Sequence, residues 1–527
     1  MRVLFVAALF WPSWAWAQTR PDLEYRDTQV DVVDEENDDR LTVRGFFETH
    51  YYEYDNIDFR LLNEDSDQAI LDSDDRGAFA FTGAQLEIGY QIDPQVRFVV
   101  TGSHRGLWGD DQIGETNRFG GFIYFPALYV DLYSSRTLNR AVRFRVGRQF
   151  YTLGGLGPGV RDYVLADVLD MVRIDIPVSD RARFTVLPIN VYSTAANYDE
   201  VDFVNLIGQQ NPETFYFRGD VLTRRFGATF TLDNDEDTVV GGQAYVFYSD
   251  LHGRGTGSDI SYNGALGNFT DADYLLNYGV RVNADFGAIR PFAEFNGSAG
   301  VDRKEEVAQN VNTNGYSWGA GARLDTRREG LKNPGVLAQI RYFEAQGSVH
   351  TNNGLLFSHG YVGMKGQHIG GTLLNRFFGL HPTAYTGRNG VINNPQDMSR
   401  KSGTRSLELW GNVQLESGFH ALGGVWFLQD TGFSDVDFET IDFLEPPFGY
   451  SRSEFAATER LGKILGTEID AEVGWQFGRY VDTFLRGAVV VPGGFYGIPI
   501  DRVAGNALGS DNPQFPWAAH GGIRVSF

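Results

Sequence analysis

Over much of this chain apolar and polar residues alternate one by one, the mark of β-strands with one apolar and one wet face. Leu276, Tyr278, Val280, Val282, Ala284 and Phe286 are interleaved with Asn277, Gly279, Arg281, Asn283 and Asp285. The same pattern runs through 316–325, 406–415 and 468–477. A helix repeats every 3.6 residues and cannot keep a period of two on one face, so these segments are not helical. Alternation does not separate a soluble sandwich from a membrane barrel. In the barrel the apolar face meets lipid and the polar face lines a lumen.

The rhythm of the connections separates the two. Strands are expected near 41–55, 78–92, 95–107, 123–134, 140–150, 169–178, 181–194, 214–232, 237–249, 274–286, 289–300, 314–326, 335–348, 403–415, 418–429, 466–477, 480–491 and 515–527. Every second connection is short and built from turn formers, such as Asp93-Pro94, Ser179-Asp180, Gly287-Ala288 and Glu416-Ser417. Those between them are long, among them 195–213, 349–402 and 430–465. Long and short in strict alternation predict an all-β transmembrane antiparallel β-barrel of about 18 strands, with long extracellular loops and short periplasmic turns. One helix is expected within a loop, over Ser453–Leu465 (SEFAATERLGKIL) with Ser453 as its cap.

The two ends agree with export. Residues 1–17, MRVLFVAALFWPSWAWA, hold one early arginine, a short apolar run and an A-x-A site, and are expected to be a signal peptide. Residues 18–40 are acidic, without alternation, and are expected as a periplasmic N-terminal segment; 41–527 would then be the barrel. At the other end Phe515, Trp517, Ala519, Gly521, Ile523, Val525 and Phe527 share one face. A last strand ending in Phe resembles the signal read by barrel-assembly machinery, an expected partner alongside outer-membrane lipid.

Composition removes other classes. With no Cys there is neither a disulfide framework nor a thiolate zinc site. A net charge of −23 argues against binding nucleic acid. The chain holds no H-E-x-x-H and no phosphate loop with its Lys, and its nine His lack ligand spacing. No enzyme, cofactor or metal centre is therefore expected. The Gly-rich stretch Gly154–Gly159 reads as a tight loop that could gate the lumen.

What remains is the charged face. Alternation sends Arg44, Arg97, Arg143, Arg145, Arg173, Arg281, Arg290, Arg323, Arg341, Arg486 and Arg524 to the lumen. It sends an equal number of acids there: Glu48, Glu87, Asp131, Asp175, Asp285, Glu294, Asp325, Glu408, Glu468, Asp470 and Glu472. No lysine is among them. Arginine forks onto carboxylates and phosphates, so this face is either a track for a charged solute or a rigid salt-bridge filling. Trp410 and Trp426 also fall on the lumen side, where they could stack on sugar rings. Trp318, Trp475, Trp517, Tyr278, Tyr316 and Phe477 fit girdles at the membrane interfaces.

Two patches resemble the alginate export family of eighteen-stranded outer-membrane barrels. Val146-Gly147-Arg148-Gln149, followed by a Gly-rich loop and then Asp167, Asp170 and Arg173, is similar to its G-R-Q segment. Leu465-Gly466-Thr467-Glu468-Ile469-Asp470, with Gly478-Arg479-Tyr480 and Pro492-Gly493-Gly494-Phe495, resembles its last hairpins. The resemblance implies a passive conduit for an anionic polysaccharide, with periplasmic secretion partners. The track would be lined by Arg143, Arg145, Arg148, Arg173, Arg281 and Arg323. Glu468, Asp470 and Glu472 form an acidic row that could repel a polyanion, pair with arginine or hold a cation. The charge-balanced face departs from a plainly basic track, which leaves other charged solutes open. The competing expectation is a plugged barrel displaying its loops as an adhesion surface.

Overall fold

The computed structural model describes residues 40–55, 77–108, 122–136, 141–154, 163–192, 222–234, 239–254, 270–302, 311–312, 314–326, 335–347, 349–350, 356–358, 360–361, 363, 373, 404–431, 464–478, 480–493 and 515–527. The first half of the wall comprises β1 (Leu41–Asp55), β2 (Gly77–Asp93), β3 (Val96–Trp108), β4 (Phe122–Tyr133), β5 (Arg143–Gly154), β6 (Tyr163–Pro177), β7 (Ala182–Tyr192), β8 (Leu222–Leu232) and β9 (Val240–Arg254). The second comprises β10 (Thr270–Ala284), β11 (Ile289–Asp302), β13 (Gly315–Asp325), β14 (Gly335–Ala345), β17 (Thr404–Gln414), β18 (Phe419–Asp430), β19 (Ile464–Phe477), β20 (Val481–Pro492) and β21 (Trp517–Ser526). Three short strands, β12 (Val311–Asn312), β15 (Val349–His350) and β16 (Leu356–Ser358), form a small extension at the rim.

Each wall strand pairs antiparallel with the next, and β1 pairs with β21, so the eighteen strands close into a barrel. Closure removes the unpaired edges that a membrane could not satisfy. The observed strands coincide with the alternating segments, with β6 starting earlier than the expected 169. Its first residues, Tyr163-Val164-Leu165-Ala166-Asp167-Val168, do not alternate. The expected strand start at 214 lies outside the described residues, as do residues 1–39 and the loop after Gly154. The helix expected over Ser453–Leu465 lies mostly outside them too, and its last two residues, Ile464 and Leu465, open β19 instead.

The two faces separate as alternation requires. Val280, Trp318, Leu409 and Val473 are exposed on the outside, while Arg281, Glu408 and Glu472 are buried inside. Outer aromatics gather in two bands. Tyr248 with Tyr274 and Phe295 with Tyr316 stack toward the extracellular side. Trp475 lies against Phe419 and Phe477 near the periplasmic turns. Such girdles hold a barrel at headgroup level. The periplasmic turn at Gly418 needs its φ of +91°, and a Cβ there would press into the Gln476 backbone.

The seam is closed at the carboxyl end. Gly45 and Phe527 exchange both backbone hydrogen bonds at 2.9 Å. The Phe527 ring also covers Gly45, whose missing side chain makes room for it and for the Gln85 carbonyl oxygen. Aromatic cover over a glycine on the neighbouring strand helps to pin register. The variant Gly45→Val is expected to force both apart, at about 1–3 kcal/mol for overpacking. A lower urea midpoint of the detergent-folded barrel, read by the heat-dependent gel shift, would register this.

Candidate functional site

The barrel interior is lined by the predicted charges, and strand register decides how they pair. On β4–β7 a basic cluster forms near the periplasmic end. Arg143 sits opposite Asp175 across β5 and β6, and Arg145 opposite Asp131 across β4 and β5. Arg143 donates to Asp175 Oδ2 at 2.8 Å from Nε and 2.5 Å from Nη2. Arg173, two residues along β6, donates to Oδ1 at 3.0 Å, and the Thr185 hydroxyl donates to the same oxygen at 2.7 Å. Arg145 grips Asp131 with two bonds, of 2.7 and 2.9 Å, and lies 4.0 Å over the Tyr129 ring. Three arginines thus share two carboxylates, which leaves this cluster net positive.

Arg281 and Arg323 stand on β10 and β13, away from that cluster. Arg281 meets Glu294 across β10 and β11 at 2.9 Å, with both side chains wholly buried. Arg323 reaches Asp325 on its own strand at 3.4 Å. Arg341 holds Glu408 with bonds of 3.0 and 2.7 Å, and Ser406 donates to the same carboxylate. Arg290 pairs with Asp285 across a periplasmic turn. Fork-on-carboxylate bonds are the strong form of this contact, and burial strengthens them further.

The opposite tendency appears on β17–β21. Glu408, Glu468, Asp470, Glu472 and Asp482 outnumber Arg486 and Arg524 among the buried inward residues there. Arg486 lies 3.2 Å from Glu472 and 3.9 Å from Asp470. His420 approaches Glu472 at 3.6 Å and Asp482 at 4.0 Å. His50 and His520 flank the Phe484 ring, at 6.3 and 6.1 Å between centroids. Sequence reasoning overlooked Asp482 and these histidines. Asp482 follows from the alternation of β20, whereas only register brings the histidines toward the acids.

The chain between β16 and β17 touches the inner wall at two places. The Tyr361 N–H donates to the Gln346 carbonyl at 3.0 Å, and the Ser298 hydroxyl reaches the Gly360 carbonyl at 3.5 Å. Twelve residues on, the Leu373 N–H donates to the inward carboxylate of Glu468 on β19 at 2.5 Å. Tyr361 and Leu373 are both buried. Tyr361 is thus held on the β11–β14 side of the inner wall and Leu373 on the β19 side. Inside β5–β9 lies an apolar patch of Tyr151, Leu153, Leu165, Leu169, Met171, Leu187, Ile189, Tyr245 and Phe247. The start of β6 signals it, with Leu165, Leu169 and Met171 of its mostly apolar residues on the inner face.

Two expectations need correction. Arg148 does not line the lumen. It stands three residues after inward Arg145, an odd step that turns it to the outer face, where it pairs with Asp170 at 2.7 Å. Trp410 and Trp426 do point inward, but each is only 7% exposed. The Trp426 indole lies on Gly424, so it is packing and no open platform for sugar rings.

No family model matches the chain, and no curated protein matches it. Solved structures similar in outline include a BenF-like porin from Pseudomonas fluorescens Pf-5, with 9% identity, a TM-score of 0.46, and coverage of 92% of this chain and 99% of that one. Pseudomonas aeruginosa OccK2 (OpdF), solved in complex with glucuronate, gives 9% identity, a TM-score of 0.45, and coverage of 92% and 98%. Pseudomonas aeruginosa OpdK with vanillate gives 8%, 0.43, and coverage of 92% and 98%. These values show a common outline and go no further. By its own geometry, a closed barrel with an apolar outer belt and a charged interior, the chain has the architecture of a bacterial outer-membrane β-barrel.

Proposed function

We propose that the protein is a passive outer-membrane channel for a charged carbohydrate, either a sugar acid or an exopolysaccharide. The observation that carries this reading is the unequal charge of the inner wall. Arginine is in excess at Arg143, Arg145 and Arg173, and carboxylate is in excess on β17–β21. A barrel of this size leaves room for an aqueous path, and fixed charges of opposite sign on two arcs orient a charged solute within it. Because these arginines already hold carboxylates, a passing anion is bound weakly enough to leave again, as conduction requires. With no nucleotide motif in the sequence, the driving force is the solute gradient or a synthase behind it.

The alternative, a plugged barrel that presents its loops as a surface, is favoured by one observation. Arg281, Glu468 and Leu373 have no exposed surface at all. Recording residues 18–527 in a planar bilayer separates the two. An anion-selective pore blocked by a polyuronate supports the proposal. A cation-selective pore keeps the channel and removes the anionic solute, while a folded barrel without conductance supports the plug.

A further inference from the structure

Three buried histidines stand among the charges of the inner wall where the barrel closes, from β18 through β21 to β1. Register stacks the inward residues there into rows. Nearest the periplasmic turns, Glu48, Arg524 and Asp482 stand side by side on β1, β21 and β20. The next row runs His50, Gly522, Phe484, Gly474 and His420. Beyond it come His520, Arg486 and Glu472, with Asp470 two residues farther along β19.

Glycine opens the middle row. A Cβ on Gly474 would collide with the His420 ring, so the imidazole lies across β19 between the carboxylates of Glu472, at 3.6 Å, and Asp482, at 4.0 Å. His50 Nε2 lies 3.3 Å from Glu48 Oε2. His520 stands opposite Arg486 and edge-on to Phe484. The neighbouring strands add little net charge. Gln414 on β17 is opposite His420, and on β2 Gly83 is opposite Glu48 while Glu87 is taken by Arg44 at 2.6 Å. Arg486 is shared between Glu472 and Asp470, and Arg524 lies over the Phe46 ring at 4.0 Å.

With its histidines neutral this arc sets four carboxylates against two arginines and is net negative. Three protonated histidines would make it net positive. Histidine is the side chain whose charge ordinarily changes between about pH 5 and 8. Charges fixed in a low-dielectric wall act on passing ions without touching them. Resting on the channel reading above, we propose that His50, His420 and His520 make the charge of this arc, and with it the ion selectivity of the lumen, follow pH. In acid the lumen shifts toward anions. At neutral pH the carboxylates of β19 and β20 hold it back toward cations.

The test is the reversal potential of residues 18–527 in a planar bilayer under a potassium chloride gradient, at about pH 7.5 and about pH 5.5, which brackets the histidine range and stays above the ordinary carboxylate range. The ratio of anion to cation permeability of the wild type is expected to rise severalfold at the lower pH. The variant H50Q/H420Q/H520Q should lose most of that rise, and H420Q alone, the milder change, should lose part of it. The variant H104Q, altered on the outer face of β3, should keep it whole. The heat-dependent gel shift reports whether each variant folds, and the wild type and H420Q decide the matter if the triple variant does not. A conducting wild type with the same selectivity at both pH values overturns this proposal alone, as does a folded triple variant that keeps the full rise. A folded barrel that conducts at neither pH overturns the channel reading and this proposal with it.

Discussion

Replacing Glu294 with Gln is expected to destabilise the barrel by about 3–5 kcal/mol, because it leaves a guanidinium charge in the wall without its carboxylate. Arg281 and Glu294 are joined at 2.9 Å and neither side chain reaches solvent. Taking one ion out of water costs several kcal/mol, and the opposite charge beside it compensates for that cost. The double variant R281M/E294M removes both charges and is expected to lose much less than either single change. Urea titration of the refolded barrel, followed by tryptophan fluorescence, measures all three. Equal losses for E294Q and the double variant would show that the charge pairing itself is not what the wall depends on.

The largest effect on transport is expected from Glu468→Ala. The Glu468 carboxylate accepts the Leu373 N–H and holds Leu373 to β19. Without that acceptor Leu373 loses its described hydrogen bond to the wall, and single-channel conductance should rise severalfold. Glu468→Gln keeps an acceptor oxygen without the charge, so its conductance should stay close to wild type. That comparison separates tethering from electrostatics. Bilayer recordings in which E468A conducts like wild type would rule out the tether.

The strands were legible because their signal is local. Along β10 each outward Tyr278, Val280 and Val282 is followed by an inward polar or small residue, and no distant contact is needed to see it. Arg148 shows how a motif can mislead where alternation would not, since its position relative to Arg145 already places it outside. The apolar patch within β5–β9 was harder to see. The stretch Tyr163 to Met171 is mostly apolar but broken by Asp167 and Asp170, and only the assembled wall shows that Leu165 and Leu169 meet Leu187 and Phe247 inside.

The sequence by itself determined the number of wall strands, their approximate limits and the face on which most charges lie. Those properties depend on neighbours one or two residues away. The partners were decided by the tertiary structure. Arg281 meets Glu294, Arg341 meets Glu408 and Arg145 meets Asp131 because of strand register, which closure of the whole ring sets. A slip of one residue would turn each of those side chains to the opposite face. The contact of Leu373 with Glu468 joins residues 95 positions apart in the chain, and no local pattern encodes it.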